Sequence, residues 1–149
     1  MRRAIVLVPL LVACAQNETA QSDSAAMAPA APAALTEANV AGTWTGVATL
    51  AGTDSIIAHW TQICGNGTCR GTSQEAPNDT VTATYTLMAD SMVGQSSPFT
   101  DPTFPGASIV DHWTVRATGD SVTGMGRFVL ATNPDSVLTR YNIRGMRNP

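Results

Sequence analysis

Apolar and polar residues alternate with a period of two over most of residues 40–147, and no helical stripe is visible. The clearest run sets Val81, Ala83, Tyr85 and Leu87 on one face against Thr80, Thr82, Thr84 and Thr86 on the other. A second sets Val137, Thr139, Tyr141 and Ile143 against Leu138, Arg140, Asn142 and Arg144. Successive strand residues point to opposite faces, so this alternation predicts strands buried on one side. Eight are predicted, at 42–50, 55–64, 68–74, 80–88, 90–97, 107–117, 121–131 and 136–147. Asp-Ser or Asp-Thr pairs at Asp54, Asp79, Asp90, Asp120 and Asp135 mark the turns between them. Aspartate accepts a hydrogen bond from the backbone two residues on, which fixes such a turn. Short links make consecutive strands antiparallel neighbours. Eight of them close most economically into a meander barrel, which leaves no free edge. The fold class expected is all-β, an eight-stranded antiparallel barrel, with a β-sandwich as the alternative.

The pattern also repeats. Ser55-Ile56-Ile57-Ala58-His59-Trp60-Thr61 returns as Ser108-Ile109-Val110-Asp111-His112-Trp113-Thr114, with five identities in seven positions. Asp79-Thr80-Val81 with Tyr85 and Leu87 returns as Asp135-Ser136-Val137 with Tyr141 and Ile143, and Gly46 matches Gly94. Two four-strand halves of similar plan follow. The inward face is expected to carry Trp44, Leu50, Ile56, Trp60, Val81, Tyr85, Leu87, Ile109, Trp113, Val122, Phe128, Leu130, Val137, Tyr141 and Ile143.

Before residue 40 the pattern changes. Arg2 and Arg3 precede an apolar stretch from Ala4 to Val12, and Leu11-Val12-Ala13-Cys14 closes it. The stretch is about half the ~20 residues that span a bilayer, so it reads as a leader and not as a transmembrane helix. The Leu-Val-Ala-Cys run resembles the lipobox of bacterial lipoproteins. That resemblance implies cleavage before Cys14, lipidation of Cys14, and a membrane-anchored protein of the cell envelope. Outer-membrane sorting is the expected destination, because Ala15 and Gln16 lack the aspartate linked to inner-membrane retention. Residues 14–39 are rich in Ala, Pro, Ser and Gln and poor in large apolar side chains, which predicts a disordered linker. The expected layout is a signal peptide at 1–13, the lipidated cysteine and linker at 14–39, and the barrel at 40–149. Gly42-Thr43-Trp44 resembles the glycine-x-tryptophan that opens the first strand of lipocalin-like barrels, a resemblance of architecture.

Charge narrows the function classes. The chain contains no lysine, and its formal net charge is −3, so nucleic acid is not an expected partner. With Cys14 consumed by lipid, Cys64 and Cys69 form an even pair across Gly65-Asn66-Gly67-Thr68, which predicts a hairpin disulfide. A two-thiolate zinc site is the rival, but the remaining ligands are missing. No metal and no cofactor is expected.

The candidate sites cluster at one end. In a meander the odd-numbered links share an end, and the looser loops fall there, opposite the entry of the N-terminal linker. The second half carries about five extra residues in its fifth link, within Ser97–Gly106. Three prolines stiffen that link, and Phe99, Asp101 and Phe104 give it aromatic and acidic chemistry. The two rings are expected either to contact a partner or to plug the mouth. Asp111 replaces Ala58 of the first half at an inward position. A carboxylate there needs a hydrogen-bond partner or a ligand, with Gln62 and the tyrosines as candidate partners. His59 and His112 match in the repeat but point outward, so a shared metal ion is not expected. No catalytic set converges, and enzyme activity is the least expected function. The sequence points to a lipid-anchored binding or inhibitor module for a small ligand or protein, since small lipid-anchored barrels that inhibit host hydrolases resemble it in size and single disulfide. An envelope-structural lipoprotein without a small ligand is the alternative.

Overall fold

The structure, a computed structural model, describes residues 34–149. The leader, Cys14 and the linker as far as residue 33 lie outside the described residues. Eight antiparallel strands close into a barrel in chain order, as the alternation predicts. They are β1 (Gly42–Leu50), β2 (Ile56–Gly65), β3 (Thr68–Ser73), β4 (Val81–Met88), β5 (Ser91–Ser96), β6 (Ile109–Thr118), β7 (Ser121–Leu130) and β8 (Asn133–Arg147). The links at 66–67, 89–90 and 119–120 share the floor with the start of β1 and the end of β8. The links at 51–55, 74–80, 97–108 and 131–132 form the mouth.

The floor begins earlier in the chain than composition suggests. The boundary expected at residue 39 falls inside the fold, because Glu37–Val40 form a short helix, α1. Val40 is among the most buried residues, and Leu35 packs against the same core. Glu37 accepts a hydrogen bond from the Tyr85 hydroxyl at 2.6 Å and another from the Asn66 backbone N–H. Burial and that carboxylate push the Tyr85 phenol up to about 12. The other end of the domain completes the closure. The Arg147 guanidinium lies 4.7 Å over the Trp44 ring, and its Nη1 and Nη2 donate to the carbonyls of Ala41 and Asn39. Trp44 Nε1 in turn donates to the Val40 carbonyl at 2.8 Å. A cation stacked on an indole, with both terminal nitrogens bonded to backbone carbonyls, joins the first and last strands into one seam.

Cys64 and Cys69 face each other across the β2–β3 hairpin and form the expected disulfide, buried just above the floor. Asn66 and Gly67 turn that hairpin with positive φ, 54° and 75°. This is the backbone that an Asn-Gly pair adopts at least cost.

Three residues expected inside lie at the rim. Leu50, Ile56 and Val137 are exposed. Register shifts between Ala48 and Thr49 on β1, and between Phe128 and Leu130 on β7, explain two of them. Ile56 pairs with Thr49 and Val137 with Val129, so each leaves the inward phase of its strand. A bulge inserts one residue, and one residue reverses every face beyond it. Leu50 ends β1 and stands above the closed part of the wall.

The repeat has a physical basis. Trp60 on β2 is the register partner of Gly46 on β1, and Trp113 on β6 that of Gly94 on β5. A Cβ at Gly46 would come within 2.4 Å of Trp60 Cζ2, and one at Gly94 within 2.0 Å of Trp113 Cζ2. Each indole therefore lies flat on its neighbouring strand, in space that only glycine leaves open.

Candidate functional site

The barrel is hollow above the floor. A cavity of about 290 Å³ runs up its interior to the mouth. All three tryptophans of the described residues, Trp44, Trp60 and Trp113, line it, together with Phe128 and Tyr141. The glycines beneath two of the indoles keep these walls thin and flat, so an eight-stranded barrel retains room for a ligand.

One charged group lies deep in this aromatic space. Asp111 on β6 points inward, as expected. Its register partner is Phe128 on β7, and Trp113 follows two residues on along the same face. The Tyr141 hydroxyl from β8 donates to Asp111 Oδ1 at 2.5 Å, which makes Tyr141 the partner among the candidates that include Gln62. The Asp111 backbone N–H donates to Ser96 Oγ at 2.9 Å and anchors the strand against β5. Protein atoms enclose the carboxyl, and the accessible surface it retains opens on the cavity. Burial lifts its pKa from 3.8 to about 7, and the Tyr141 hydrogen bond pulls the other way. Burial first, and then the Asp111 charge and hydrogen bond, raise the Tyr141 phenol well above its usual range. Both shifts favour the protonated forms, so each group holds its proton to a higher pH than it would in water.

Two links build the mouth. In the 97–108 link, Phe99 pairs with Ile109 in a short bridge that extends the β5–β6 hairpin. Its ring meets Phe128 edge-on at 6.1 Å between centroids, and Phe104 meets the same ring at 6.2 Å. Both phenylalanines are half-buried. Both rings therefore turn toward Phe128 and stay partly exposed at the rim. Asp101 Oδ1 accepts the Thr103 backbone N–H at 2.7 Å, so this carboxylate shapes the link it sits in. In the 74–80 link, Glu75 accepts two hydrogen bonds from the His59 backbone N–H at 3.1 Å and touches His59 Nδ1 at 3.0 Å. That contact holds the Glu75 carboxyl below the usual carboxylate range.

The predicted candidates therefore divide. Phe99, Asp101 and Asp111 line one cavity, while Phe104 rests on Phe128 at its rim. Cys64 is the disulfide partner that reaches the cavity wall. His59 and His112 belong to the outer face; partial burial, followed by the Arg127 charge, lowers the His112 imidazole pKa. Among the described residues no three of His, Cys, Asp and Glu gather to hold a metal ion. The alternation places Trp44, Trp60 and Trp113 on the inward face but does not say whether that interior is filled or hollow. The signal that marks them is the matched pair of glycines, Gly46 and Gly94, facing the repeated Trp60 and Trp113.

No family model, no curated protein and no solved structure matches the chain.

Proposed function

We propose that this protein is a lipid-anchored envelope barrel that binds a small, ring-bearing molecule inside its cavity. The cavity of about 290 Å³ with three indole walls carries the reading. It is about twice the ~150 Å³ that admits benzene in an engineered apolar core, which suits a ligand of one or two rings. The convergence of one buried polar group on apolar walls is the usual make-up of a small-molecule site. Phe99 and Phe104 turn toward Phe128, which favours a small ligand over an inhibitory contact made by protruding rings. The anchor rests on the leader and its Leu11-Val12-Ala13-Cys14 run. The described chain enters the barrel at the floor, the end opposite the mouth.

The test is titration of the purified protein with Prodan (6-propionyl-2-dimethylaminonaphthalene), a neutral two-ring fluorophore that brightens and shifts to the blue in apolar surroundings. A saturable signal is expected, with quenching of tryptophan fluorescence, since every tryptophan lines the cavity. Ala48→Phe, which sets a ring into the cavity, is expected to remove both. A signal unchanged in a folded Ala48→Phe protein would mean that the probe binds elsewhere.

A further inference from the structure

The cavity is asymmetric in charge. Four ionisable carboxylates line it: Glu75, Asp79 and Asp101 toward the mouth and Asp111 within. Among the described residues no arginine or histidine shares that lining. The basic side chains lie elsewhere, with Arg147 closing the floor and Arg116 paired on the outside with Asp90 at 2.9 Å.

Three of the four carboxylates have assigned work or an open position. Glu75 is matched to His59, Asp101 fixes its own turn, and Asp79 is exposed at the rim. Asp111 differs. Its Oδ1 takes the Tyr141 hydroxyl, and no hydrogen bond among the described residues reaches its Oδ2. The groups facing it are Tyr141 from β8, Phe128 from β7, Ser96 from β5 and Trp113 on its own strand. None is a cation. A buried carboxylate without a counter-charge is costly, and a site that retains one gains most from a ligand that supplies the charge.

The walls make the same selection. The faces of indole, phenol and phenyl rings are the negative side of their quadrupoles and attract a cation laid over them. Carboxylates at the mouth add a field that draws cations inward and repels anions.

We propose that the ligand of this cavity is a small organic ammonium with a compact aromatic or apolar body, its charged head set against Asp111 and framed by Trp113, Phe128 and Tyr141. The inference rests on the binding reading above and narrows it to one charge class. An inorganic cation does not fit as well, because a single carboxylate and ring faces offer too few oxygens for a hard ion. A free amine of one or two rings matches both the volume and the walls.

The experiment is a charge series on one body: phenethylamine, 2-phenylethanol and phenylacetate, titrated at pH 8 into the full purified protein and followed by tryptophan quenching and calorimetry. The amine is expected to bind at least tenfold more tightly than the alcohol, and the acid most weakly. Asp111→Asn is expected to bring amine and alcohol within about twofold of each other while the alcohol still binds, which shows that the cavity is intact. Equal or tighter binding of the alcohol, or preference for the acid, overturns the ammonium inference and leaves a small-molecule barrel. A tenfold amine preference that survives in Asp111→Asn overturns the assignment to Asp111. If none of the three binds while Prodan does, the ammonium inference fails alone. If that neutral probe also fails to bind, the binding reading fails with it.

Discussion

Replacing Asp111 by asparagine is expected to stabilise the barrel at pH 8 and to do far less at pH 5. Asparagine keeps an oxygen for the Tyr141 hydroxyl and occupies nearly the same space, but it buries no charge. In the native barrel, burial holds the Asp111 carboxyl at about 7, against 3.8 for an ordinary aspartate. Between those values the folded state retains a proton that the unfolded chain has released. Stability from this group is therefore greatest below pH 3.8, falls as pH rises toward 7, and stays low above it. The separation of roughly three pH units, at 1.36 kcal/mol each, makes the penalty about 4 kcal/mol at pH 8. At pH 5 only the first part of the window has been crossed, and the penalty is well under half of that, about 1–2 kcal/mol. The advantage of Asp111→Asn is thus expected to shrink by about 3 kcal/mol between pH 8 and pH 5. For a domain of this size that is about 10 °C or more in Tm. Urea unfolding of both proteins at the two pH values, read by tryptophan fluorescence and by far-ultraviolet dichroism, measures it. A gain of equal size at both pH values, or a loss at pH 8, would refute the account of a carboxyl enclosed without a counter-charge.

Other outcomes follow from single features. Reduction of Cys64–Cys69 is expected to cost about 2 kcal/mol, because so short a loop restricts the unfolded chain only modestly, and calorimetry should show a lower Tm with cooperative unfolding kept. The double change Phe99→Ser and Phe104→Ser removes two half-buried rings from Phe128. It is expected to lower urea stability by about 2–4 kcal/mol, and an unchanged midpoint would show that the rings carry no packing. His112→Gln is expected to leave titration of the cavity unaltered, since that side chain lies on the outer face; a shifted affinity would move the site outward. Cys14→Ser is expected to abolish incorporation of a fatty-acid analogue in metabolic labelling, and label retained by the mutant would end the lipoprotein reading.

The fold was largely legible because a half-buried strand writes its period directly into the chain. The Val81–Leu87 and Thr139–Ile143 alternations are inward strands in the structure, and the even links do turn at the floor. Two things were not legible. Bulges leave no mark in a Thr- and Val-rich run, so Ile56 and Val137 were assigned to the wrong face. The floor was misjudged because Leu35–Val40 has a linker's composition, and its order comes from tertiary partners such as Tyr85 and Arg147 that local pattern does not reveal. At the site, Asp111 stood out because it breaks the repeat at Ala58. Its partner was narrowed to a few polar residues, but the choice of Tyr141 required the register of three strands. Whether Phe99 and Phe104 point outward or inward depends on the position of Phe128, about 25 residues away, and no spacing rule carries that.

The seam that closes the floor also frees the mouth. Arg147 grips the carbonyls of Asn39 and Ala41, and the Asn148 backbone N–H donates to the Thr43 carbonyl, so the two ends of the domain touch. A polypeptide whose ends meet can be joined there and opened elsewhere without losing a strand pair. The exposed 51–55 link is a natural place to open it, giving a circular permutant with the same eight pairings. By the same logic, the 74–80 and 97–108 links can be exchanged for others of different length while the seam keeps its register. The architecture divides labour between a hub that holds the barrel shut and a crown of links that frames the cavity mouth. The outline of that mouth can thus be redrawn one loop at a time while the seam stays untouched.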